Sequence, residues 1–275
     1  MAGLAPSLPV TRTMKTIHNS LATPKSRAKE PRHAFPIYGV MIPNADNPKP
    51  SVMILGAGGH GRVVLDILLN ARKYNVVGFL DNNTDIHGRR VDGVLVHGGI
   101  DDLPQIGPKL NIQGVIVAIG DNGVRRGLAR QVDQIGFELI SAVHPSVTLA
   151  YNASIGRNVV IAAGAVVCAN CQIGDSVILN TGCIIDHQTM IGEGTHICPG
   201  VRVAGRVKVE PGVFVGIGAT IIPKVTLGCE SIVGAGAVVL EDIPPMATVV
   251  GVPAVPVKLA GASEDVAAMF LPARA

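Results

Sequence analysis

Aliphatic residues recur at every sixth position between Val143 and Val239, and this period constrains the fold more than any other feature of the sequence. The period continues through seventeen hexads, ending at Pro244, without an insertion or a break. Neither an α-helix nor a flat strand has a period of six, whereas a solenoid of short strands does. The pattern therefore predicts a parallel β-helix over residues 143–244. The first positions of the hexads are Val143, Leu149, Ile155, Ile161, Val167, Ile173, Leu179, Ile185, Ile191, Ile197, Val203, Val209, Val215, Ile221, Leu227, Val233 and Val239.

Two other hexad positions predict how each coil of the β-helix turns. Position five is small or β-branched in most hexads, as at Val159, Cys171 and Thr189, so we expect it to point inward together with position one. Position four is rich in glycine and asparagine, which adopt positive φ angles at low cost, so we expect it to form the corner. Three hexads then close one triangular coil, and residues eighteen apart should stack.

A strand, a glycine-rich turn, a helix and a second strand precede the β-helix. We predict a strand at 51–55, the turn Gly56–Gly61, a helical pattern over 63–68 and a strand at 76–80 that ends in Asp81. In this order the turn lets backbone N–H groups approach phosphates at the positive end of a helix. The whole unit has about 90 residues, roughly half of a dinucleotide-binding fold, which suits one nucleotide better than two. We predict a half-Rossmann-like parallel sheet that binds a nucleotide or nucleotide sugar; NAD(P) binding and a tight turn without a ligand are the alternatives.

The remaining segments complete the predicted domain organisation. Further strands are predicted at 94–96, 115–119 and 137–143, with a helix over 122–135 that carries Arg125, Arg126 and Arg130. The nucleotide-sugar domain then covers 51–142, the β-helix 143–244, and a C-terminal cap and tail 245–275, with a helical turn at 263–270. Residues 1–50 contain eight prolines, seven Lys or Arg and two acidic residues, and we predict a disordered tail or an artefactual upstream start.

Composition argues against several classes of protein. The net charge is +3 and only 16% of residues are charged, which argues against a dedicated nucleic-acid-binding protein. Mean hydropathy is +0.41, but no uninterrupted run of eighteen apolar residues occurs, so we expect no membrane span. The five cysteines come without a secretory signal, and the single C-x-x-C pair, Cys168 and Cys171, is interpreted as core rather than as a metal site. We expect a cytoplasmic protein without a bound metal.

His187 is the candidate catalytic residue of the β-helix. It stands at position three of its hexad, and the residues one coil away, Ala169 and Gly205, are both very small. An extended ligand has room there, and the Gly205 N–H is free to donate to a carbonyl oxygen, which is what acyl transfer from a base and an oxyanion donor requires. Asp186 and Gln188 flank His187, and either could fix its tautomer. The alternative is a solvated histidine on a flat face, just as His60 could be a ligand or a helix-start residue that contacts backbone.

The motifs together resemble the sugar acetyltransferases of the sialic acid O-acetyltransferase group, which includes the bacillosamine-type and perosamine N-acetyltransferases. The resemblance covers residues 51 to about 254, nearly the whole predicted folded part. The matching motifs are the Gly56–Gly61 turn with His60, Phe79-Leu80-Asp81-Asn82, Ala118-Ile119-Gly120-Asp121-Asn122, Asn180-Thr181-Gly182, Asp186-His187, His196, Ala204-Gly205 and Gly251-Val252-Pro253-Ala254.

The resemblance implies a left-handed β-helix, a homotrimer, and acetyl-CoA in the groove between neighbouring subunits. It implies that His187 is the general base, that His196 lies near the acetyl group, and that Gly205 supplies the oxyanion-side amide. Facing subunits could bring His187 of one copy near His196 of the next. Further coenzyme contacts match Ile217 and Ala235, and nucleotide-sugar contacts match Gly58, Gly59, His60, Asp81 and Asn82.

One departure from the family pattern concerns the residue after the base, which is usually acidic and here is Gln188. Either Asp186 takes over the supporting role or the base is weaker. The sequence predicts an acetyl-CoA-dependent N-acetyltransferase of a nucleotide-linked amino sugar in surface glycan biosynthesis, with no covalent intermediate. The alternatives are a sugar O-acetyltransferase and a catalytically silent, nucleotide-sugar-binding trimer.

Overall fold

The computed structural model describes residues 49–259, in which a parallel sheet domain is followed by a β-helix. The first sheet has six strands in the order β3-β4-β2-β1-β5-β6, parallel throughout except for the β3–β4 hairpin. Its elements are β1 (Ser51–Leu55), α1 (Gly59–Ala71), β2 (Asn75–Leu80), β3 (Arg90–Val91), β4 (Val94–Gly98), α2 (Leu103–Lys109), β5 (Gly114–Val117), α3 (Asn122–Gln134) and β6 (Glu138–Leu139).

The direction of the strand order reverses between β1 and β5, and this places a crevice at the carboxyl ends of these strands. Both strands are buried in the sheet apart from the first residue of β1, with α1 on one face and α3 on the other. In open α/β sheets, ligands bind at such a reversal point. The glycine-rich turn after β1 and the loop after β5 both lie there, so the predicted nucleotide-sugar turn is at the crevice.

Two predictions for this domain need correction. The predicted strand over 137–143 is two strands, because Glu138–Leu139 pairs with β5 while Ala142–Val143 pairs with a strand of the β-helix. The strand predicted at 94–96 is confirmed as β4, but the helix α2 and the strand β3, which forms a hairpin with β4, were missed. Pro104 and Pro108 suggest helix breakers in the sequence, but Pro104 stands in the first helical turn, where its missing N–H costs nothing.

Seventeen two-residue strands, one for each hexad, form the β-helix. Each consists of the last residue of one hexad and the first of the next, and it pairs in parallel with the strand eighteen residues away. The strands are β7 (Ala142–Val143), β8 (Thr148–Leu149), β9 (Ser154–Ile155), β10 (Val160–Ile161), β11 (Val166–Val167), β12 (Gln172–Ile173), β13 (Ile178–Leu179), β14 (Ile184–Ile185), β15 (Met190–Ile191), β16 (His196–Ile197), β17 (Arg202–Val203), β18 (Lys208–Val209), β19 (Phe214–Val215), β20 (Thr220–Ile221), β21 (Thr226–Leu227), β22 (Ile232–Val233) and β23 (Val238–Val239).

These strands stack into the three faces of a triangular prism, as the spacing predicts. The first sheet contains β7, β10, β13, β16, β19 and β22, the second β8, β11, β14, β17, β20 and β23, and the third β9, β12, β15, β18 and β21. Position-one and position-five side chains fill the interior, where Val159, Cys171 and Thr189 are buried together with the aliphatic residues. Each fully buried Val or Ile contributes about 1.5–3 kcal/mol, so the aliphatic layers are the main source of stability.

The corners at position four have positive φ angles along most of the β-helix, as predicted for Asn158 and Gly182. The same conformation occurs at position-four residues that lack this preference, including Gln188, Arg206 and Lys224, with φ angles of 60°, 62° and 66°. The coil geometry therefore imposes the left-handed conformation even where the residue type opposes it.

The first sheet of the β-helix is covered by the sheet domain. Ala142, Val160 and Ile178, which point outward from this sheet, are buried in one apolar cluster with Val64 and Ile67 of α1. The next outward residues on the same ladder are His196, Phe214 and Ile232, and the latter two are partly exposed. His196 therefore lies where the cover of the sheet domain ends.

The chain finishes the β-helix with β24 (Ala247–Val250), which pairs with β22, and β25 (Val255–Leu259), which folds back antiparallel to β24. The peptide bond between Val252 and Pro253 in the connecting turn is cis. The predicted tail at 1–48 and the predicted helical turn at 263–270 lie outside the described residues. Between residues 49 and 259, no helix is both long enough and apolar enough to span a membrane.

Candidate active site

His187 lies at the exposed corner that follows β14, and its ring lies over Gly205. A Cβ atom added to Gly205 would be 2.6 Å from Nε2 and 2.7 Å from Cε1 of His187. The imidazole itself therefore occupies part of the open space that the sequence predicts above this glycine. The contact places the Nε2 edge of the ring directly beside the Gly205 backbone.

The two neighbours of His187 contact different groups. Gln188 Oε1 lies 3.3 Å from the ring atom Nδ1, whereas Asp186 Oδ1 accepts a hydrogen bond of 2.7 Å from the His187 backbone N–H. Asp186 also faces the thiol of Cys168, whose pKa is raised by burial and by that carboxylate. Gln188 thus contacts the ring of His187, and Asp186 contacts its backbone N–H.

The amide of Gly205 is available to a ligand. Its carbonyl accepts from the Lys224 N–H at 3.1 Å, and the next amide, Arg206 N–H, donates to the His187 carbonyl at 2.9 Å. Within residues 49–259, no protein oxygen accepts a hydrogen bond from the Gly205 N–H. An unpaired donor beside the Nε2 edge of an imidazole is suited to an oxygen that gains negative charge during a reaction.

A second group of residues surrounds His196 on the first sheet. Asn180 Oδ1 accepts from the Thr181 N–H at 2.8 Å, which leaves its Nδ2 facing His196 Nε2 at 3.3 Å. Because Nδ2 can only donate, Nε2 of His196 accepts and its proton is on Nδ1. His196 also makes an edge-to-face contact with Phe214, at 5.3 Å between ring centroids, and its centroid is 6.4 Å from that of His60.

His60 and His196 are both held in the neutral form by their surroundings. Burial lowers the pKa of His60 to about 4, helped by His196 and Arg125, and burial with Arg125 lowers the pKa of His196 to about 4. Nε2 of His60 is buried without a hydrogen-bond partner among the described residues, whereas His196 interacts with the Gly120 backbone, which raises its pKa against the other two effects. The two neutral imidazoles therefore form a polar pair between α1 and the first sheet of the β-helix.

The glycine-rich turn leaves the first backbone amides of α1 open. Gly56 has a φ of 103° and packs against Ala118, and a side chain on Gly61 would meet the Gly56 carbonyl at 2.0 Å. Gly58 and Gly59 instead face open space, and the helix begins without a side-chain cap or an acidic residue in its first turn. Uncapped amides at the positive end of a helix suit an anionic phosphate.

Asp81 and Asn82, which we predicted to contact the sugar nucleotide, hold the turn and its neighbouring loops. Asp81 accepts from the Ala57 and Asn83 backbone amides at 2.7 and 2.8 Å, one on each carboxylate oxygen. Asn82 Oδ1 accepts from the Ile100 N–H at 3.0 Å. Both side chains are thus already engaged in shaping the crevice.

Ile217 and Ala235 lie at a different corner from His187. Both are exposed at position three between the first and second sheets, and they stack through a hydrogen bond of 2.8 Å from the Gly236 N–H to the Ile217 carbonyl. His187 and Gly205 stand between the second and third sheets. Within one chain the predicted residues therefore form three groups, around His187, around His196 and His60, and around Ile217.

Arg125 is a residue of this region whose role was not predicted from the sequence. It is fully buried, and burial lowers its pKa to about 10. Arg125 lies on the same face of α3 as the buried residues Ala129 and Val132. This helical spacing is the sequence signal that could have indicated its burial. Its acceptors, at 2.7–3.4 Å, are the carbonyl oxygens of Ile119, Gly120, Ser176, Gly194 and Thr195 and the side-chain oxygen of Asn122.

Known structures match this arrangement over almost their whole length. PerB, the perosamine N-acetyltransferase of Caulobacter crescentus, solved with CoA and GDP-perosamine, is 38% identical with a TM-score of 0.72, over 76% of this chain and 97% of that chain. The chain belongs to the nucleotide-amino-sugar N-acetyltransferase family.

Other members of this family and related folds agree with the assignment. Residues 51–132 match the PglD N-terminal domain family. The acetyltransferase domain of PglB from Neisseria gonorrhoeae, solved with acetyl coenzyme A, is 32% identical with a TM-score of 0.71, over 76% of this N-acetyltransferase and all of that chain (100%). WeeI from Acinetobacter baumannii AYE, 23% identical with a TM-score of 0.69, over 76% of this chain and 100% of that one, shares the fold. No curated protein sequence matches significantly.

Proposed function

We propose that this N-acetyltransferase transfers the acetyl group of acetyl-CoA to the amine of a nucleotide-linked amino-deoxy sugar. The observation that carries the proposal is the Nε2 edge of His187 beside the unpaired Gly205 N–H. Relatives that bind CoA with GDP-perosamine, or acetyl coenzyme A, support the same substrates here. Among the described residues, no group of three or more His, Cys, Asp or Glu could hold a metal ion.

The residues around His187 provide a direct transfer without a covalent intermediate. Gln188 Oε1 accepts from Nδ1–H, which leaves the Nε2 lone pair free. The neutral sugar amine attacks the thioester carbonyl, Nε2 takes the proton from the nitrogen, and the Gly205 N–H stabilises the oxyanion. Collapse of the tetrahedral intermediate forms the amide and breaks the C–S bond, and the imidazolium returns its proton to the leaving thiolate of CoA.

The nucleotide sugar is assigned to the crevice of the sheet domain. Its phosphates would contact the open amides at Gly58 and Gly59, and the sugar would extend toward the neutral imidazoles of His60 and His196. These imidazoles are neutral at pH 7, so they can hydrogen-bond the sugar amine. They also add no positive charge that would repel the ammonium form of the amine. Since nucleotide sugars and acetyl-CoA are cytoplasmic metabolites, we place the reaction in the cytoplasm, in the biosynthesis of a surface glycan.

We also propose that the complete site forms between neighbouring copies of a homotrimer. The three groups of residues lie on different faces of one β-helix, so one copy alone does not gather them. A neighbouring β-helix would place Ile217 and Ala235, or His196, opposite His187 of the first copy. Acetyl-CoA would then lie in the groove between two subunits.

Comparison of acceptors tests the reaction. CoA release is measured with GDP-, UDP- and dTDP-linked 4-amino sugars, with the matching 4-hydroxy sugars, and with free sialic acid. We expect turnover only with a nucleotide-linked amine, and a product that is heavier by one acetyl group on nitrogen. Faster acetylation of a hydroxyl acceptor would contradict the proposal, and tight acetyl-CoA binding without any turnover would support a silent binding protein.

Mixed trimers test the shared site. One variant carries His187→Asn and the other carries Ile217→Glu, which blocks the proposed coenzyme groove on another face. If the site lies between subunits, refolding the two inactive variants together restores part of the turnover, because some interfaces combine two intact surfaces. No recovery in mixed trimers, despite subunit exchange shown by mass spectrometry, would place the whole site in one chain.

A further inference from the structure

We propose that Arg206 is a positioning residue for the base: it fixes the orientation of the Gln188 amide, which in turn fixes the tautomer of His187. This inference rests on the proposed function of His187. It concerns the position at which this chain departs from the acidic residue found in the proteins it resembles.

Arg206 stands one coil above Gln188 at the same corner of the β-helix. Its Nε donates a hydrogen bond of 3.0 Å to Gln188 Oε1, the same oxygen that lies 3.3 Å from His187 Nδ1. Its backbone N–H donates to the His187 carbonyl at 2.9 Å, so the base and Arg206 are connected twice. The two corner residues also have nearly the same backbone conformation, with φ angles of 60° and 62°.

The guanidinium determines which end of the amide faces the imidazole. A glutamine amide has an acceptor at one end and a donor at the other, whereas a guanidinium only donates. The atom of Gln188 that Arg206 contacts must therefore be the oxygen. An oxygen shared with Nδ1 requires the proton of the neutral imidazole to be on Nδ1, which leaves the lone pair on Nε2 beside Gly205.

Without Arg206 the amide of Gln188 is free to rotate by half a turn. The NH₂ group would then face Nδ1, which would have to accept, and the proton would move to Nε2. An imidazole protonated on Nε2 cannot take a proton from the attacking amine at that atom. Wrong tautomers of this kind are a recognised way to lose general-base catalysis while geometry is kept.

A carboxylate in place of Gln188 would not need this help. Both of its oxygens accept, so it holds Nδ1–H in either orientation. The dependence on Arg206 is therefore specific to a chain with glutamine at this position, and it explains how the base can work without an acidic residue at position 188.

A double-mutant cycle tests the proposal. We expect Arg206→Met to lower kcat about 10-fold or more while the KM values for both substrates stay within about twofold. In the Gln188→Glu background, the same Arg206→Met change should alter kcat by less than about twofold. Arg206→Lys, which keeps a cationic donor, should lose less than Arg206→Met. Lys224→Met is the matched control, since Lys224 is the cation at the next coil of the same corner, and its kcat should stay within about twofold of wild type.

Nitrogen-15 NMR of labelled histidine reads the tautomer directly. At a pH where His187 is neutral, the wild-type protein should show the proton on Nδ1, and Arg206→Met should shift it toward Nε2, with His187→Asn identifying the signal. An equal loss of kcat in the wild-type and Gln188→Glu backgrounds, or an Nδ1–H tautomer that survives Arg206→Met, would overturn the inference. If the wild-type enzyme transfers no acetyl group, the proposed function fails, and the NMR result still decides the role of Arg206.

Discussion

At the scale of single residues, the most restrictive contact is that of His187 with Gly205. Replacing Gly205 by alanine would put a methyl group 2.6 Å from Nε2, a distance that real Cβ atoms do not reach, so the imidazole must move. The φ angle of Gly205 is outside the left-handed region, so the backbone itself tolerates alanine. The contact is therefore a steric requirement of the site rather than of the fold.

Gly205→Ala should lower kcat about 100-fold, because the base is displaced and the oxyanion donor is partly covered. The thermal unfolding midpoint should stay within a few degrees of wild type, since the corner is exposed and the side chain is small. Ala169→Gly, on the opposite side of the His187 column, is the control and should keep near wild-type turnover. Full activity of Gly205→Ala would show that the observed ring position is not the catalytic one.

At this scale the sequence predicted the residue contacts that follow from the stacking of residues eighteen apart, and it did not predict the others. Counting by eighteen correctly brings His187 and Gly205 into contact, because register in a β-helix is fixed by the repeat. It could not assign Arg206 to the Gln188 amide or Asp81 to the Ala57 N–H, because those contacts depend on side-chain rotamers and on a loop from another strand. Nor could it place His196 beside His60, which requires the packing of two domains.

At the scale of secondary structure elements, α3 connects the sheet domain to the β-helix through side chains on two of its faces. Arg125 is buried, while Arg130 makes an exposed ion pair of 3.2 Å with Glu193. Arg126 pairs with Glu230, and Asn122 donates to the Gly212 carbonyl at 2.9 Å. The buried guanidinium donates its hydrogen bonds to neutral oxygens, and the nearby Asp121 carboxylate adds a coulombic attraction that raises the pKa of Arg125 against the effect of burial.

Arg125→Met should destabilise the protein by about 3 kcal/mol or more, because it leaves buried carbonyl oxygens of both domains without a donor. Arg130→Met, on the same helix, should cost less than about 1 kcal/mol, since its ion pair is exposed. Thermal and urea unfolding of the two variants under identical conditions measure the difference. Equal stabilities would mean that water replaces the guanidinium at no cost.

Secondary structure elements were predictable where the sequence has a clear pattern. They were not predictable where the pairing with a distant strand, or the position of a proline in a helix, defines the element. The strands β1 and β2 follow from short apolar runs, and the seventeen β-helix strands follow from the six-residue period. The split between β6 and β7 was not visible, since residues 137–143 form one predominantly apolar segment without a turn signal, and its two halves pair with different sheets. The helix α2 was hidden by prolines that the first turn and the short length tolerate.

At the scale of the whole molecule, the junction between the two domains has a pH dependence built into it. His60 and His196 have folded-state pKa values of about 4, below the ordinary 6.5 of an unfolded chain. Between these values the unfolded chain binds protons that the folded protein does not, so stability rises with pH in this window. The contribution is fully present above about pH 6.5 and is lost as the pH falls toward 4.

We therefore expect the unfolding midpoint to fall as the pH is lowered from about 6.5 to 4, by more than carboxylate titration alone produces. Each histidine accounts for at most about 3 kcal/mol of this loss, given the size of the shifts. In the double variant His60→Asn and His196→Asn, the slope over the same pH window should be shallower. Parallel slopes for the two proteins would contradict the neutral, buried state of these imidazoles.

The overall architecture was the most predictable level, since a six-residue period and a strand, turn and helix unit each have few structural solutions. The contact between the two domains was the least predictable, because it depends on outward residues such as Val160 and Ile178 that the hexad pattern leaves unspecified. The buried Arg125 and the paired histidines arise at this contact. Their burial depends on the packing of the two domains against each other and not on the hexad repeat or the glycine-rich motif alone.

The turnover of His187→Asn with acetyl-CoA and a nucleotide-linked 4-amino sugar tests the central claim most directly. Asparagine keeps a polar side chain of similar reach but cannot take a proton at neutral pH. We predict a kcat at least about 100-fold below wild type, with unchanged acetyl-CoA affinity and an intact fold by circular dichroism. A folded His187→Asn protein that keeps near wild-type kcat would contradict the assignment of His187 as the base.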